Sequence, residues 1–199
     1  MPEVRIFPLG LVHSVALRTL LLTGLRRGEL LALRDEDVDL SEEILTVRCG
    51  KFGKSRFVPL ASDLAHRLRA YREAVSVRIA PRQPSSAFFP RPDGHRRTAL
   101  TSLYKSFRQV LELAQIPHLG RGRGPRLHDL RHAFAVLRLL SWYEAGADLT
   151  VKLPLLATYL GHIGLTSSQI YLHMTEDFIG ELTRRQLDRF GDLITEVAQ

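Results

Sequence analysis

Residues 43–60, EILTVRCGKFGKSRFVPL, carry the β-type pattern of this chain. Two β-prone runs lie on either side of a turn that extends from Gly50 to Lys54. The turn contains glycine, which has no Cβ atom and lets the backbone turn tightly. The stretch therefore predicts an antiparallel β-hairpin.

Most of the remaining sequence has helical periodicity. Gly24 ends the first helical pattern, and Gly161 is placed to cap the last one, with Leu153 and Pro154 in its first turn. The predicted helices before that last one cover residues 11–24, 26–34, 62–77, 100–115 and 127–140. The predicted fold class is α+β, mainly α-helical, with a small antiparallel β-sheet or hairpin at one edge.

Two segments between helices predict irregular structure. Residues 79–98 are rich in proline and contain Gly94, so we expect a loop, with a short strand at 87–89. Residues 118–126, HLGRGRGPR, predict a basic glycine-rich linker.

Composition and charge limit the class of protein. With 199 residues, 45% of them hydrophobic, the chain is expected to bury a core as one compact domain, or at most as a domain with a small lobe. It has no apolar run long enough for a membrane span and no signal-peptide pattern, so we expect a soluble cytoplasmic protein. Cys49 is the single cysteine, which excludes an intrachain disulfide and a cysteine-rich zinc site. The net charge of +7 and the pI near 10.1 favour a polyanionic partner and a merely basic surface about equally.

The predicted helix 127–140 carries both an apolar stripe and polar candidates. His128 and Arg131 are three residues apart beside the stripe, where they can address one ligand or belong to a solvated face. His128 and His132 have a spacing usable by zinc, but a HExxH glutamate and cysteine ligands are missing, so metal binding ranks below the other readings. The predicted buried stripe is Leu127, Leu130, Phe134 and Leu137.

Further cations stand in the hairpin and between the first two helices. The hairpin cations could contact a phosphate from the tip of the hairpin, or they could simply make an exposed turn soluble. They are Lys51, Lys54 and Arg56. Arg26 follows Gly24 at a helix junction, from which its side chain can project. Glu29 can hold an arginine in place or serve as a favourable first-turn acid.

Four motifs together resemble one family. They are TGLRRGELLALRDEDVDL, GKFGKSRFVPL, HDLRHAFA and LGHIGLTSSQIYLHM, and they occur in the order and approximate spacing of the tyrosine recombinases, or phage integrase family. The resemblance extends from about Leu20 to Leu172. It implies the tyrosine-recombinase catalytic fold over residues 1–199, without a separate N-terminal DNA-clamping domain.

The resemblance also implies a set of site residues. Tyr171, which alone is equally consistent with a core contact, becomes the nucleophile that attacks a DNA phosphodiester. Arg26 and Arg131 would neutralise the phosphate, since guanidinium is always charged and matches phosphate oxygens. Glu29 would support Arg26. The further catalytic assignments are His128 as base, Lys51 as acid and His162 on the phosphate, and the DNA-binding assignments are Lys54, Arg56, Arg121, Arg123 and Arg126.

The implied reaction forms a 3′-phosphotyrosine and needs neither metal nor another cofactor. The implied partners are double-stranded DNA and further copies of the chain, as a tetramer on DNA. The implied location is the bacterial cytoplasm, associated with the nucleoid, in a phage or mobile-element setting. A type IB topoisomerase-like enzyme and a non-catalytic DNA-binding module are the alternatives.

The sequence departs from the family pattern near its ends. Only 25 residues precede Arg26, so we expect a catalytic domain alone or a naturally short recombinase, with weak, salt-sensitive DNA binding. The stretch between Arg131 and His162 is long and predicts extended helices. The tail carries a stripe that would pack on a neighbouring copy or on its own domain, formed by Leu187, Phe190, Ile194 and Val197.

Overall fold

The computed structural model describes residues 9–48, 55–79, 81–94, 97–117 and 124–161. Within these ranges the chain is mainly helical with one small antiparallel sheet, which confirms the predicted α+β class. The helices are α1 (Leu9–Thr23), α2 (Arg27–Ala32), α3 (Ser62–Ser76), α4 (Leu100–Leu113), α5 (Asp129–Glu144) and α6 (Leu149–Leu160), with a 3-10 turn at Asp35–Asp37. The strands are β1 (Val38–Asp39), β2 (Ile44–Val47) and β3 (Arg56–Pro59).

The three strands form an antiparallel sheet in the order β1-β2-β3. Leu45 pairs with Val38 on one side and with Val58 on the other, and all three side chains are buried. Alternate residues of β3 point outward, as Phe57 shows, because successive strand side chains face opposite sides. The predicted hairpin is therefore confirmed in its two strands, while its turn, Gly50 to Lys54, lies outside the described residues.

The chain divides into two compact units, Met1–Phe134 and Ala135–Gln199. In the first unit α1 packs against α2, α3 and α4. His13 of α1 is buried, with Nδ1 2.7 Å from Ser106 Oγ and Nε2 3.3 Å from Ser102 Oγ on α4. Burial lowers the pKa of His13. The histidine therefore joins α1 to α4 through hydroxyl groups.

The loop after α3 supplies core aromatics. Tyr71, Phe88 and Phe89 are all buried, and their ring centroids lie 5.0 to 5.4 Å apart. Tyr71 donates a hydrogen bond to the Phe88 carbonyl at 3.0 Å. Burial raises the pKa of this phenol. Ala87 makes a single bridge with Arg34, so the short strand predicted at 87–89 is reduced to one pairing.

One prediction for the helix that carries Arg131 is wrong. Leu127 and Phe134 are buried as predicted, but Leu137 is 56% exposed. Ala135 and Leu139 are buried in its place. Leu137 is two residues from each of them, which is roughly 200° around a helix, so it faces the opposite side. The helical period is as predicted, but the buried face at this end of α5 is formed by Ala135 and Leu139 instead of Leu137.

The predicted start of the last described helix is also wrong. α6 begins at Leu149, because Asp148 caps it by accepting from the Thr150 N–H at 2.8 Å. Pro154 therefore lies inside the helix, where it removes one N–H from the ladder. Gly161, with φ 68°, ends α6 as predicted.

In the second unit α5 and α6 meet through a cation and an aromatic ring. The Lys152 Nζ lies 5.8 Å from the centroid of the Trp142 ring. Among the described helices, none has the length and apolar character that crossing a membrane requires. The predicted tail stripe, Leu187 to Val197, lies outside the described residues.

Candidate active site

Arg26 lies in a sharp junction between α1 and α2. Gly24, with φ 62°, ends α1, and its N–H donates to the Leu20 carbonyl at 3.0 Å. The hydroxyl of Thr23 donates to the Thr19 carbonyl at 2.6 Å and receives the Leu25 N–H at 3.4 Å. At Arg26 the backbone is extended, and α2 begins at the next residue. The sequence TGLRRGE thus presents the side chain of Arg26 from a short, fixed turn.

Glu29 accepts four hydrogen bonds from two arginines. Its Oε2 accepts from the Arg26 backbone N–H at 2.8 Å, and its Oε1 accepts from Arg26 Nη1 at 2.8 Å. Arg56 of β3 donates through Nη1 to Oε1 and through Nη2 to Oε2, both at 2.9 Å. The predicted contact between Glu29 and Arg26 is therefore present, and Arg56 is an additional partner.

The carboxylate of Glu29 stays charged in this site. Burial alone would raise the pKa of Glu29, but hydrogen bonds from Arg56 and Arg26 outweigh it, and the pKa falls to about 2. The cluster formed by Arg26, Glu29 and Arg56 has two positive charges and one negative charge. It keeps a net positive charge, which suits an anionic ligand.

Arg131 is buried against the same junction. Its side chain is 2% exposed, and Nη1 donates to the Gly24 carbonyl at 2.7 Å. Arg131 and Gly24 are 107 residues apart in the chain, so the fold alone brings α5 to the turn that carries Arg26. A solvated helix face, the alternative for Arg131, is therefore wrong.

His128 lies just before α5 and is exposed. Its ring is 4.9 Å from the ring of His132, edge to face. Partial desolvation, together with His132 and Arg131, lowers the pKa of His128 below its ordinary value of 6.5. The imidazole is therefore largely neutral near pH 7 and can accept a proton.

The two-histidine spacing has no further metal ligands around it in the described residues. No group of three or more His, Cys, Asp or Glu side chains in those ranges could hold a metal ion.

Arg126, predicted to bind DNA, is 65% exposed and pairs with Asp129 at 3.0 Å.

Several predicted site residues lie outside the described residues, and their roles stay predictions. They are Lys51, Lys54, Arg121, Arg123, His162 and Tyr171.

A basic groove next to α2 was missed by sequence reasoning. It has a volume of about 450 Å³ and is lined by Arg27, Arg91 and Arg97 together with the first residues of α4. Arg91 and Arg97 belong to the segment predicted only as a loop, and its arginine content was the available signal. The groove adds three cations to the part of the first unit that carries Arg26.

Comparison with known proteins identifies the family. The model of the phage integrase family matches residues 1–177. A putative integrase/recombinase, y4rB, of Sinorhizobium fredii is 36% identical over 170 residues, which cover 85% of this chain and 54% of that protein. The tyrosine recombinase XerD of Pseudomonas aeruginosa is 34% identical over 182 residues, which cover 92% of this chain and 56% of that protein. The chain spans about half the length of the curated relatives it matches.

Solved structures agree with the predicted catalytic fold. The crystal structure of XerA recombinase matches with a TM-score of 0.64 and 25% identity, over 88% of this chain and 57% of that one. The catalytic domain of bacteriophage HP1 integrase matches with a TM-score of 0.52 and 20% identity, over 92% of this chain and 90% of that one, a likeness of fold alone. The fold, the motif positions and the family match lead to one conclusion: this chain belongs to the phage integrase family.

Proposed function

We propose that this chain is the catalytic part of a site-specific DNA recombinase that cleaves and rejoins strands through a 3′-phosphotyrosine. The observation that carries the proposal is the bond from Arg131 to the Gly24 carbonyl. It joins two separated motifs, so that a buried guanidinium lies against the turn of Arg26. Two arginines supplied by distant segments are suited to the two nonbridging oxygens of one phosphodiester.

The proposed chemistry assigns a proton and a charge to each group. The Tyr171 phenol, with an ordinary pKa of about 10, loses its proton to His128 and attacks phosphorus. Arg26 and Arg131 neutralise charge that develops on the phosphate oxygens, and His162 hydrogen-bonds the phosphate. Lys51 protonates the departing 5′-oxygen. The phosphotyrosine conserves the bond energy until a 5′-hydroxyl attacks it and releases the phenol.

The proposed substrate is double-stranded DNA. A XerH recombinase whose structure is bound to palindromic difH substrate shares this fold, with a TM-score of 0.66. The excess of seven positive charges supports a phosphate-rich partner here. The sequence predicts DNA contacts from Lys54, Arg56, Arg121, Arg123 and Arg126, of which Arg56 is bonded to Glu29. We include a tetramer of the chain, assembled on DNA in the nucleoid of a bacterial cytoplasm, in the proposal.

Covalent trapping tests the proposed function. Nicked suicide duplexes tiled across the DNA that flanks the gene should trap a protein–DNA adduct at a defined site. Tyr171→Phe should abolish the adduct, whereas Tyr143→Phe, which alters a half-exposed tyrosine on α5, should retain it. An adduct that persists in Tyr171→Phe contradicts the nucleophile assignment. Equal cleavage of every duplex would indicate the topoisomerase-like alternative, and DNA binding with no adduct the non-catalytic module.

A further inference from the structure

The three side chains of the Arg26–Glu29–Arg56 cluster hold one another asymmetrically. Arg56 binds the Glu29 carboxylate through two bonds, with one Nη on each oxygen at 2.9 Å. The Arg26 side chain binds it through one bond, from Nη1 to Oε1 at 2.8 Å, while the backbone N–H of Arg26 donates to Oε2. A carboxylate offers about four acceptor positions, so these four donors fill it.

The exposed fractions of the three side chains show the same asymmetry. The side chain of Glu29 is 8% exposed and that of Arg56 is 15% exposed, whereas that of Arg26 is 25% exposed. Glu29 and Arg56 are thus the inner pair, and Arg26 is the outer cation. Glu29 and Arg56 are 27 residues apart, so this pair also fixes β3 to α2.

A two-bond fork holds a buried carboxylate better than a single bond, because two parallel charge-assisted hydrogen bonds add both energy and geometric specificity. If Arg56 were absent, the same edge of Glu29 would be open to Arg26. The second Nη of Arg26 would then have an acceptor on Glu29, which would draw its guanidinium toward the carboxylate. Occupation of that edge by Arg56 prevents this capture.

We propose that Arg56 is a positioning residue, which holds both oxygens of Glu29 so that Arg26 stays oriented toward the scissile phosphate. This inference rests on the proposed function and gives Arg56 a role different from the DNA contact predicted from sequence. Both Nη atoms of Arg56 donate to Glu29, and the side chain is largely buried, which suits a support better than a phosphate contact.

Single-turnover cleavage of a trapped duplex tests the role. Arg56→Gln should lower the cleavage rate about 100-fold, the size of effect expected from misplacing one group by about 1 Å. Binding to an uncleavable duplex should change little. Arg56→Lys keeps the positive charge but cannot bind both oxygens as a planar guanidinium does. It should therefore restore the stability of the fold more than the cleavage rate. An unchanged rate in the folded Arg56→Gln protein would overturn the inference.

A double-mutant cycle separates positioning from DNA contact. If Arg56 acts through Glu29, Arg56→Gln should cost much less in a Glu29→Gln background than in the unchanged chain. A DNA contact would instead give equal losses in both backgrounds, together with a reduced salt dependence of binding, and would contradict the proposal. The matched control is Arg82→Gln, which breaks another two-bond arginine–carboxylate pair in the same unit and should leave the rate of the folded protein unchanged.

A cleavage-independent measurement keeps the two proposals distinct. Orthovanadate, which resembles a phosphate in the transition state, should bind the unchanged chain and shift the side-chain nitrogen resonances of Arg26. Arg56→Gln should weaken this binding about tenfold, a loss of about 1.4 kcal/mol. If the unchanged chain forms no adduct, the proposed function fails, and the vanadate result still decides the role of Arg56. Equal vanadate binding in both proteins overturns the positioning role.

Discussion

Two carboxylates in the first unit are held by arginine forks, with opposite consequences for charge. Asp35 binds Arg82 through Nε and Nη2, both at 2.7 Å, and the charges cancel. Glu29 also accepts two bonds from one guanidinium, from both Nη atoms of Arg56, but it binds Arg26 as well, so one positive charge remains. A neutral fork ties a loop to the core, whereas the cluster with an extra arginine keeps a net positive charge, which suits an anionic ligand.

The largest effect should come from Arg131, which abuts the Arg26 turn. Arg131→Ala should lower single-turnover cleavage on the order of 1000-fold, because one of two phosphate-neutralising donors is lost. It should also destabilise the fold by about 1–3 kcal/mol, since the Gly24 carbonyl loses its buried partner. Rate and urea unfolding are measured together, with Arg138→Ala on the exposed side of α5 as control. A cleavage rate that matches the control would contradict the assignment.

Glu29→Gln should reveal the cost of losing the shared acid. We expect about 100-fold slower cleavage, because Arg26 is no longer oriented by a charged partner. The pKa of Glu29 is about 2 when folded against an ordinary 4.5, so its contribution to stability is complete above pH 4.5 and disappears as pH falls through 2. This contribution is about 3 kcal/mol.

Denaturation at several pH values measures that contribution. The stability difference between the unchanged chain and Glu29→Gln should shrink steadily from pH 5 to about pH 2. A difference that does not vary with pH would show that Glu29 does not lie in a depressed-pKa environment.

Arg82→Gln should affect stability without affecting chemistry. Removal of one partner leaves the Asp35 charge uncompensated and should cost about 3 kcal/mol, measured by chemical denaturation. The cleavage rate of the remaining folded protein should equal that of the unchanged chain. Slower cleavage by folded Arg82→Gln would mean that the neutral fork also serves the site, and the contrast with Glu29 would fail.

The basic groove should give the smallest effect. Arg91→Gln and Arg97→Gln each remove one cation near α2. If these side chains meet phosphates, each change should weaken DNA binding uniformly and lower the salt slope by about 1. Affinity measured across a salt series gives the slope, and Arg78→Gln, outside the groove, is the control. An unchanged slope would exclude phosphate contact at the altered position.

The sequence was sufficient where local chemistry determines structure. Gly24 ends α1, and β2 and β3 pair as their alternating side chains predict. It failed where contacts are remote or where two local rules compete. Nothing in the sequence joins Arg56 to Glu29 across 27 residues, so a fold-level contact was taken for a surface cation. At α6 the capping Asp148 sets the start, which overrides the preference of Pro154 for a first turn.

The motif positions were predictable for a related reason. Arg26, His128 and Arg131 follow fixed neighbours in short sequence patterns, so they can be recognised without knowledge of packing. Burial of Arg131 could not be recognised in this way, because an arginine three residues from a histidine is usually solvated. The 2% exposure of Arg131 and its bond to Gly24 show that this arginine lies in the interior of the first unit.

The stacking of Lys152 on Trp142 gives the molecule a built-in optical label. Trp142 is the single tryptophan of the chain and lies in the second unit, while the Tyr71 cluster lies in the first. Selective excitation of the indole therefore reports on the contact between α5 and α6 in the second unit. The indole emission follows the melting of that contact without a tryptophan signal from the first unit.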